Sequence, residues 1–169
     1  MASLTRICLI GPECTGKSTL AERLAKHFGA TWVPEFAREH ALSRNDALTF
    51  DDVEPIAKGH INRPPATGNL IIYDTDLIST VVYSRHYYGR APEWVVEEAR
   101  RRRADLYLLM DTDVPWQPDA ARDRGGEARE DLFDEFRRTL DEFETRWTII
   151  SGDWEERFRS AAAEAATLV

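Results

Sequence analysis

Gly11, Gly16, Lys17 and Ser18 stand in the pattern G-x-x-x-x-G-K-[ST] within "GPECTGKST", directly after the apolar run "ICLI". This is the spacing of a loop that cradles phosphate. The glycines let the backbone curl so that its N–H groups point inward at an anion. Lys17 reaches the terminal phosphates, and the Ser18 hydroxyl can ligate Mg²⁺. Glu13, Cys14 and Thr15 inside the loop, and Thr19 behind it, would line the same nucleotide. Alkylation of an accessible Cys14 thiol would then block ATP, and ATP would protect it.

Other residues could complete a transfer reaction. Asp74 ends the apolar stretch "NLIIYD", where an acid can hold Mg²⁺ and face a substrate hydroxyl. Asp76 starts the next helix, and an N-cap and a catalytic group are both open to it. Glu35 follows the short stretch "TWV" and its proline, with Arg38 one helical turn on. The two read either as a surface ion pair or as a grip on a substrate. Arg122, Arg124 and Arg129 fall in a segment rich in proline, glycine and arginine, where they can neutralise a transferring phosphoryl group. Ser151, Gly152 and Asp153 form a turn whose backbone could line an adenine.

The positioning elements follow from periodicity. Residues 4–10, 31–33, 69–74, 105–110 and 147–150 read as five short strands. Helices are predicted over 17–28, from 35, after Thr49, from 77 to Gly89, from Pro92, through 132–143 and to the end of the chain. Residues 112–129 read as a lid. Strands alternating with helices imply an α/β fold, a five-stranded parallel sheet covered on both faces, with ligands beyond the carboxyl ends of its strands. Gly11, Pro34, Asp74, Asp111 and Ser151 all fall on that edge.

The chain has 169 residues, 43% apolar and 31% charged, which fits one domain over residues 1–169. A net charge of −8 argues against nucleic acid as a partner, and the basic run Arg100–Arg103, beside Glu97 and Glu98, reads as a solvated helix face. Two cysteines suggest no disulfide framework, four scattered histidines no zinc site, and no apolar run a membrane span or signal peptide. A soluble cytoplasmic protein is expected. Oligomeric state is not legible.

Without an N-K-x-D or T-K-x-D signature a GTPase switch is disfavoured, and the short chain leaves little room for a remodelling ATPase. A small kinase suits the parts: a loop for ATP, acids facing an acceptor hydroxyl, and a lid that excludes water. The ordered set "GPECTGKSTL", "VPEFARE", "IAKGH", "DTDLISTVVYS", "DLYLLMDTDVPWQPDAARDRG" and "IISGDWEERF" resembles the ribosylnicotinamide kinase domain of the bifunctional bacterial NAD-biosynthesis proteins. The resemblance implies a P-loop NTPase three-layer sandwich of the nucleoside and nucleotide kinase type. It also implies transfer of the ATP γ-phosphate to the 5′-hydroxyl of nicotinamide riboside, a small-molecule nucleoside. By the same resemblance Lys17 and Ser18 serve ATP and Mg²⁺. Asp74 and Asp76 supply metal and hydroxyl contacts, and Glu35, Phe36 and Arg38 lie against the nucleoside. Arg122 and Arg124 form the lid, and Gly152 and Asp153 adjoin the adenine. Asp74 ranks before Glu35 as the proton acceptor.

Where the family carries ring-holding aromatics, this chain has Pro34 and residues 63–66, so Trp32 or Phe36 would have to substitute. The chain starts at its first strand, so no adenylyltransferase or DNA-binding domain is expected with it. The alternatives are a kinase of another small nucleoside or nucleotide, and a regulatory module that hydrolyses ATP slowly.

Overall fold

Three apolar strands with no exposed face form the centre of the protein: β1 (Thr5–Ile10), β3 (Leu70–Asp74) and β4 (Leu106–Met110). Ile7 to Ile10 are fully buried, and every residue of β4 is buried. Parallel strands covered on both sides need this continuous hydrophobicity rather than alternation. Two shorter strands close the edges, β2 (Thr31–Val33) beside β3 and β5 (Trp147–Ile150) beside β4. The five run parallel in the order β2-β3-β1-β4-β5, with Leu9 opposite Asp74 and Ile10 opposite Leu109. Short edges limit unwanted strand pairing. The computed structural model describes residues 3–45, 47–63, 67–114 and 127–169.

The expected α/β sandwich is present. On one face α1 (Lys17–Phe28) and α7 (Trp154–Ala166) pack Leu20, Leu24, Ala161 and Ala165 on Ile7, Leu9, Ile72 and Leu108. The opposite face carries α3 (Val53–Ile61), α4 (Leu77–Tyr88), α5 (Glu93–Arg101) and α6 (Glu127–Glu142). There Val81, Val95 and Phe136 meet Cys8, Ile10, Tyr107 and Leu109. Helix α2 (Phe36–Ser43) follows β2. Thr49 starts a 3₁₀ turn, Phe50–Asp52, ahead of α3 in a reciprocal capping box with Asp52.

Helix α4 is central rather than amphipathic, burying Ser79, Thr80 and Ser84 along with its apolar residues. Its first turn lies at the end of β3, which carries those polar groups to the ligand edge of the sheet. Arg101 and Arg102 pair with Glu98, and Arg100 with Glu142, so the basic run is the ion-paired surface face expected.

The lid boundary needs correcting. Helix α6 already begins at Glu127, and buried Arg129 donates from Nη2 to the carbonyls of Thr112 at 3.2 Å and Val114 at 2.8 Å. Arg129 thus anchors the chain leaving β4. Arg122 and Arg124 lie outside the described residues, as do residues 64–66. Among the described residues no helix is long and apolar enough to cross a membrane.

Candidate active site

The phosphate loop bridges β1 and α1. Gly11 has φ 139°, and a Cβ there would approach the Met110 carbonyl oxygen to 2.9 Å, so the loop start needs glycine both for its dihedral and for its closeness to β4. Gly16, at φ 83°, is the N-cap of α1, which has no side-chain cap and no acid in its first turn. That leaves the positive end of the helix for an anion. Thr15 Oγ1 donates to the Pro12 carbonyl at 2.9 Å, and Lys17 Nζ donates to the same oxygen at 2.6 Å.

A residue that the sequence reading passed over holds this loop from beneath. Arg157 is fully buried. It donates from Nη1 to the Thr15 carbonyl at 3.4 Å, from Nε to Gly152 at 2.8 Å and from Nη2 to Asp111 at 3.2 Å, and it pairs with the Asp113 carboxylate. Asp113 also accepts from the Gly152 N–H at 2.6 Å. One planar cation therefore ties the loop to the ends of β4 and β5. A signal was available: Arg157, Ala161 and Ala165 form one buried stripe at four-residue spacing.

The β5 turn consequently differs from expectation. Both backbone polar groups of Gly152 are engaged internally. Asp153 caps α7, accepting from Glu155 at 2.9 Å and Glu156 at 2.8 Å. The exposed surface beside the loop is the Trp154 indole, which packs so closely on Gly16 that a Cβ there would lie 2.3 Å from the ring.

Asp74 is where the loop meets the strand end. The Ser18 hydroxyl donates to Asp74 Oδ2, and the carboxylate is 1% exposed. The chain then turns sharply through Thr75, whose φ of 64° is unusual for a β-branched residue and is held by its N–H bond to the Leu9 carbonyl at 3.0 Å. Of the two roles open to Asp76, the structure shows the cap. Oδ1 accepts from the Ile78 N–H at 2.9 Å and Oδ2 from the Tyr107 hydroxyl at 2.5 Å. Both oxygens accept protein hydrogen bonds, and Asp76 lines a second cavity with His60, Arg63 and Tyr73. Burial pushes the Asp76 carboxyl up to about 6, and burial followed by the Asp76 and Asp74 charges raises the neighbouring Cys8 thiol.

Beside Asp74 a cavity of about 370 Å³ opens between α2, α3 and α4. Glu13 of the loop, Glu35 after β2 and Thr75 line it, with Asp52 and His60 from the α3 segment and Thr80, Tyr83 and Tyr87 from α4. Tyr83 and Tyr87 stack with centroids 5.9 Å apart and planes 17° apart, and the Tyr87 hydroxyl reaches Glu13 Oε1 at 3.4 Å. Asp52 accepts from Thr49 and contacts His40 at 3.0 Å and Arg44 at 3.2 Å. The His40 hydrogen bond, then the Thr49 N–H, hold its carboxyl below the ordinary value. In the sequence Asp52 lies within the helical stretch after Thr49 and carries no site signal of its own.

Glu35 reaches the cavity, whereas Phe36 and Arg38 do not line it. The Phe36 ring covers Gly59, where a Cβ would come within 1.9 Å, and its edge neighbour His60 is 6.1 Å away by centroid. Close packing of α2 on α3 directs the ring there, and Arg38 is exposed. Trp32 stands on the edge strand, 37% exposed. The aromatic wall comes instead from α4.

Among the described residues no cluster of three or more His, Cys, Asp or Glu could hold a metal by itself. The hydroxyl of Ser18 and the carboxylate of Asp74 are hard oxygen donors in contact, and they fit a Mg²⁺ ion that completes its shell with phosphate and water.

Comparison with known proteins matches this geometry. The Trifunctional NAD biosynthesis/regulator protein NadR of Escherichia coli (strain K12) is 32% identical over 127 residues, which cover 70% of this chain and 31% of that protein. The protein of the same name from Salmonella typhimurium has the same identity and coverage. The crystal structure of NadR protein in complex with NR superposes with a TM-score of 0.76 at 25% identity, over 98% of this chain and 50% of that one. The chain therefore spans about a third of the length of these curated relatives and half of that solved structure. A thymidylate kinase from Ehrlichia chaffeensis, at 14% identity and a TM-score of 0.68 over 98% of both chains, shares the fold. The resemblance read from the motifs thus holds in sequence and in three dimensions. A model of the AAA domain family matches residues 6–157, from the first strand to the arginine beneath the phosphate loop, and the chain belongs to that family.

Proposed function

We propose that this protein is an ATP-dependent kinase that phosphorylates the 5′-hydroxyl of nicotinamide riboside to give nicotinamide mononucleotide. The observation that carries the proposal is the Ser18–Asp74 contact, which sets the phosphate loop against a buried acid next in chain to Thr75, a lining residue of a cavity large enough for a nucleoside. The similarity to NadR, solved in complexes with NR and with NAD and AMP-PNP, supports both ligands.

In this reading the ATP phosphates lie in the curve of residues 11–16, at the N-terminus of α1. Lys17 leaves the Pro12 carbonyl to bind them. Ser18 and Asp74 would hold Mg²⁺, which when bound would offset the negative charge of the phosphates. Asp74 accepts the acceptor's hydroxyl proton and Glu35 is the second candidate, since it lines the same cavity. The adenine rests against Trp154. Arg122 and Arg124 supply positive charge to the transferring phosphoryl group. Residues 1–169 act as one kinase unit, working in the cytoplasm.

One observation favours a second reading, a kinase of another small nucleoside or nucleotide. The aromatic wall is Tyr83 and Tyr87, while Pro34 replaces a ring-holding aromatic of the family. Mass-resolved product analysis with Mg²⁺, ATP and a nucleoside panel, alongside Lys17→Ala, tests both. Phosphorylated nicotinamide riboside formed by the wild type and lost in the variant is expected. A different phosphorylated nucleoside would establish the second reading. ATP binding with no acceptor product would overturn both, in favour of a regulatory ATPase.

A further inference from the structure

The cavity has two chemically different ends. Phe50, ahead of α3, lies 5.8 Å by centroid from Tyr88 in the last turn of α4. At the other end Arg63, just past α3, is within electrostatic reach of Asp74, just ahead of α4. The two helices therefore run in opposite directions along the cavity. His60, in the last turn of α3, and Thr80, in the first turn of α4, share the end next to Asp74 with Glu35. The far end carries Tyr88 and Leu48 with Thr49 and Asp52 ahead of α3, while the Tyr87 hydroxyl reaches back to Glu13 of the phosphate loop.

His60 Nε2 and Thr80 Oγ1 are buried without a hydrogen-bond partner among the described residues. Buried polar atoms are almost always paired, so unpaired atoms on two residues that line one cavity point to a bound molecule that completes the set; His60 also borders a second cavity, with Arg63 and Tyr73. Burial, and then the Arg63 charge, push His60 down to about 3, so its imidazole is neutral and Nε2 donates or accepts according to tautomer. A neutral imidazole and a hydroxyl suit sugar hydroxyls. Arg63 and Glu35 place opposite charges at this end, so its electrostatics favour neither an anion nor a cation.

We infer that His60 and Thr80 read the sugar of the acceptor and select a riboside over its 2′-deoxy analogue. The inference rests on the kinase reading, because a reacting 5′-hydroxyl at Asp74 places the sugar at the His60–Thr80 end and the base against the tyrosines. Loss of one substrate hydroxyl leaves the site's own polar atoms unpaired, which is how such sites discriminate strongly.

The test compares kcat/KM for nicotinamide riboside and 2′-deoxy nicotinamide riboside, with KM for ATP measured in parallel. The wild type should favour the riboside on the order of 100-fold. Thr80→Val and His60→Ala should bring that ratio within about threefold of unity without moving the ATP KM, while Thr80→Ser and His60→Gln should retain most of it. Equal use of both acceptors by the wild type, or variants that slow both alike, would overturn the inference. Should neither acceptor turn over, calorimetric binding of the same two compounds decides. A riboside preference abolished by Thr80→Val keeps the sugar site while the kinase reading falls, and no preference sinks both.

Discussion

Lys17 donates to the carbonyl oxygen of Pro12 at 2.6 Å, so its ammonium lies inside the curve of its own loop. The bond holds Lys17 in place, 7% exposed, where an arriving phosphate would meet it. Removing the ammonium should reduce transition-state stabilisation more than stability. Lys17→Ala is expected to lower kcat by about 100- to 1000-fold while shifting the melting temperature only slightly, measured by steady-state kinetics and calorimetry. A variant with wild-type kcat would remove Lys17 from the mechanism.

Arg157 should be the most sensitive position outside the cavity. Arg157→Met leaves the Thr15, Gly152 and Asp111 carbonyls without this donor, at a cost of about 1–3 kcal/mol, while Asp113 keeps the Gly152 N–H. Arg157→Lys keeps the charge but cannot span three carbonyls, so its ATP KM should rise severalfold while the acceptor KM stays put. Chemical denaturation and two-substrate kinetics separate these effects.

If the adenine of ATP rests against Trp154 as proposed, the indole beside Gly16 is its platform. Trp154→Ala should raise the ATP KM about tenfold, the loss expected of one stacking contact, with little change for the acceptor. Fluorescence titration with ATP should show a change in the wild type that Trp154→Phe abolishes. An unchanged signal would place the base elsewhere.

Asp76 carries a pH dependence whose sign follows from its environment. Its carboxyl titrates near 6 in the fold against an ordinary 3.8, so the native state holds a proton that the unfolded chain has released. Stability should therefore fall as pH rises from about 4 to about 6 and level off above, by about 3 kcal/mol at most for this group. Asp76→Asn removes that titration. Its melting temperature relative to wild type should improve from pH 4 to pH 7, and a constant difference would show that Asp76 does not titrate in this range.

The phosphate loop was legible because all its chemistry lies within eight residues, and a dihedral that only glycine tolerates is written directly into sequence. The central strands were legible for a related reason. Sheets buried on both faces demand unbroken apolar runs, and "ICLI", "LIIYD" and "LYLLM" supply them. Both signals are local.

Where a strand-end or helix side chain points was not legible, because that depends on which strands are neighbours and what packs above them. Asp74 and Asp76 are two residues apart with similar flanks, yet one meets Ser18, 56 residues earlier, and the other turns to Tyr107. Phe36 and Glu35 are adjacent, yet one covers Gly59 and the other lines the cavity. Arg157 reaches Thr15 across 142 residues. Sequence alone determined that a phosphate loop sits on a parallel α/β sheet. The order β2-β3-β1-β4-β5, which brings distant segments against one edge, decided which acids, rings and cations form the site.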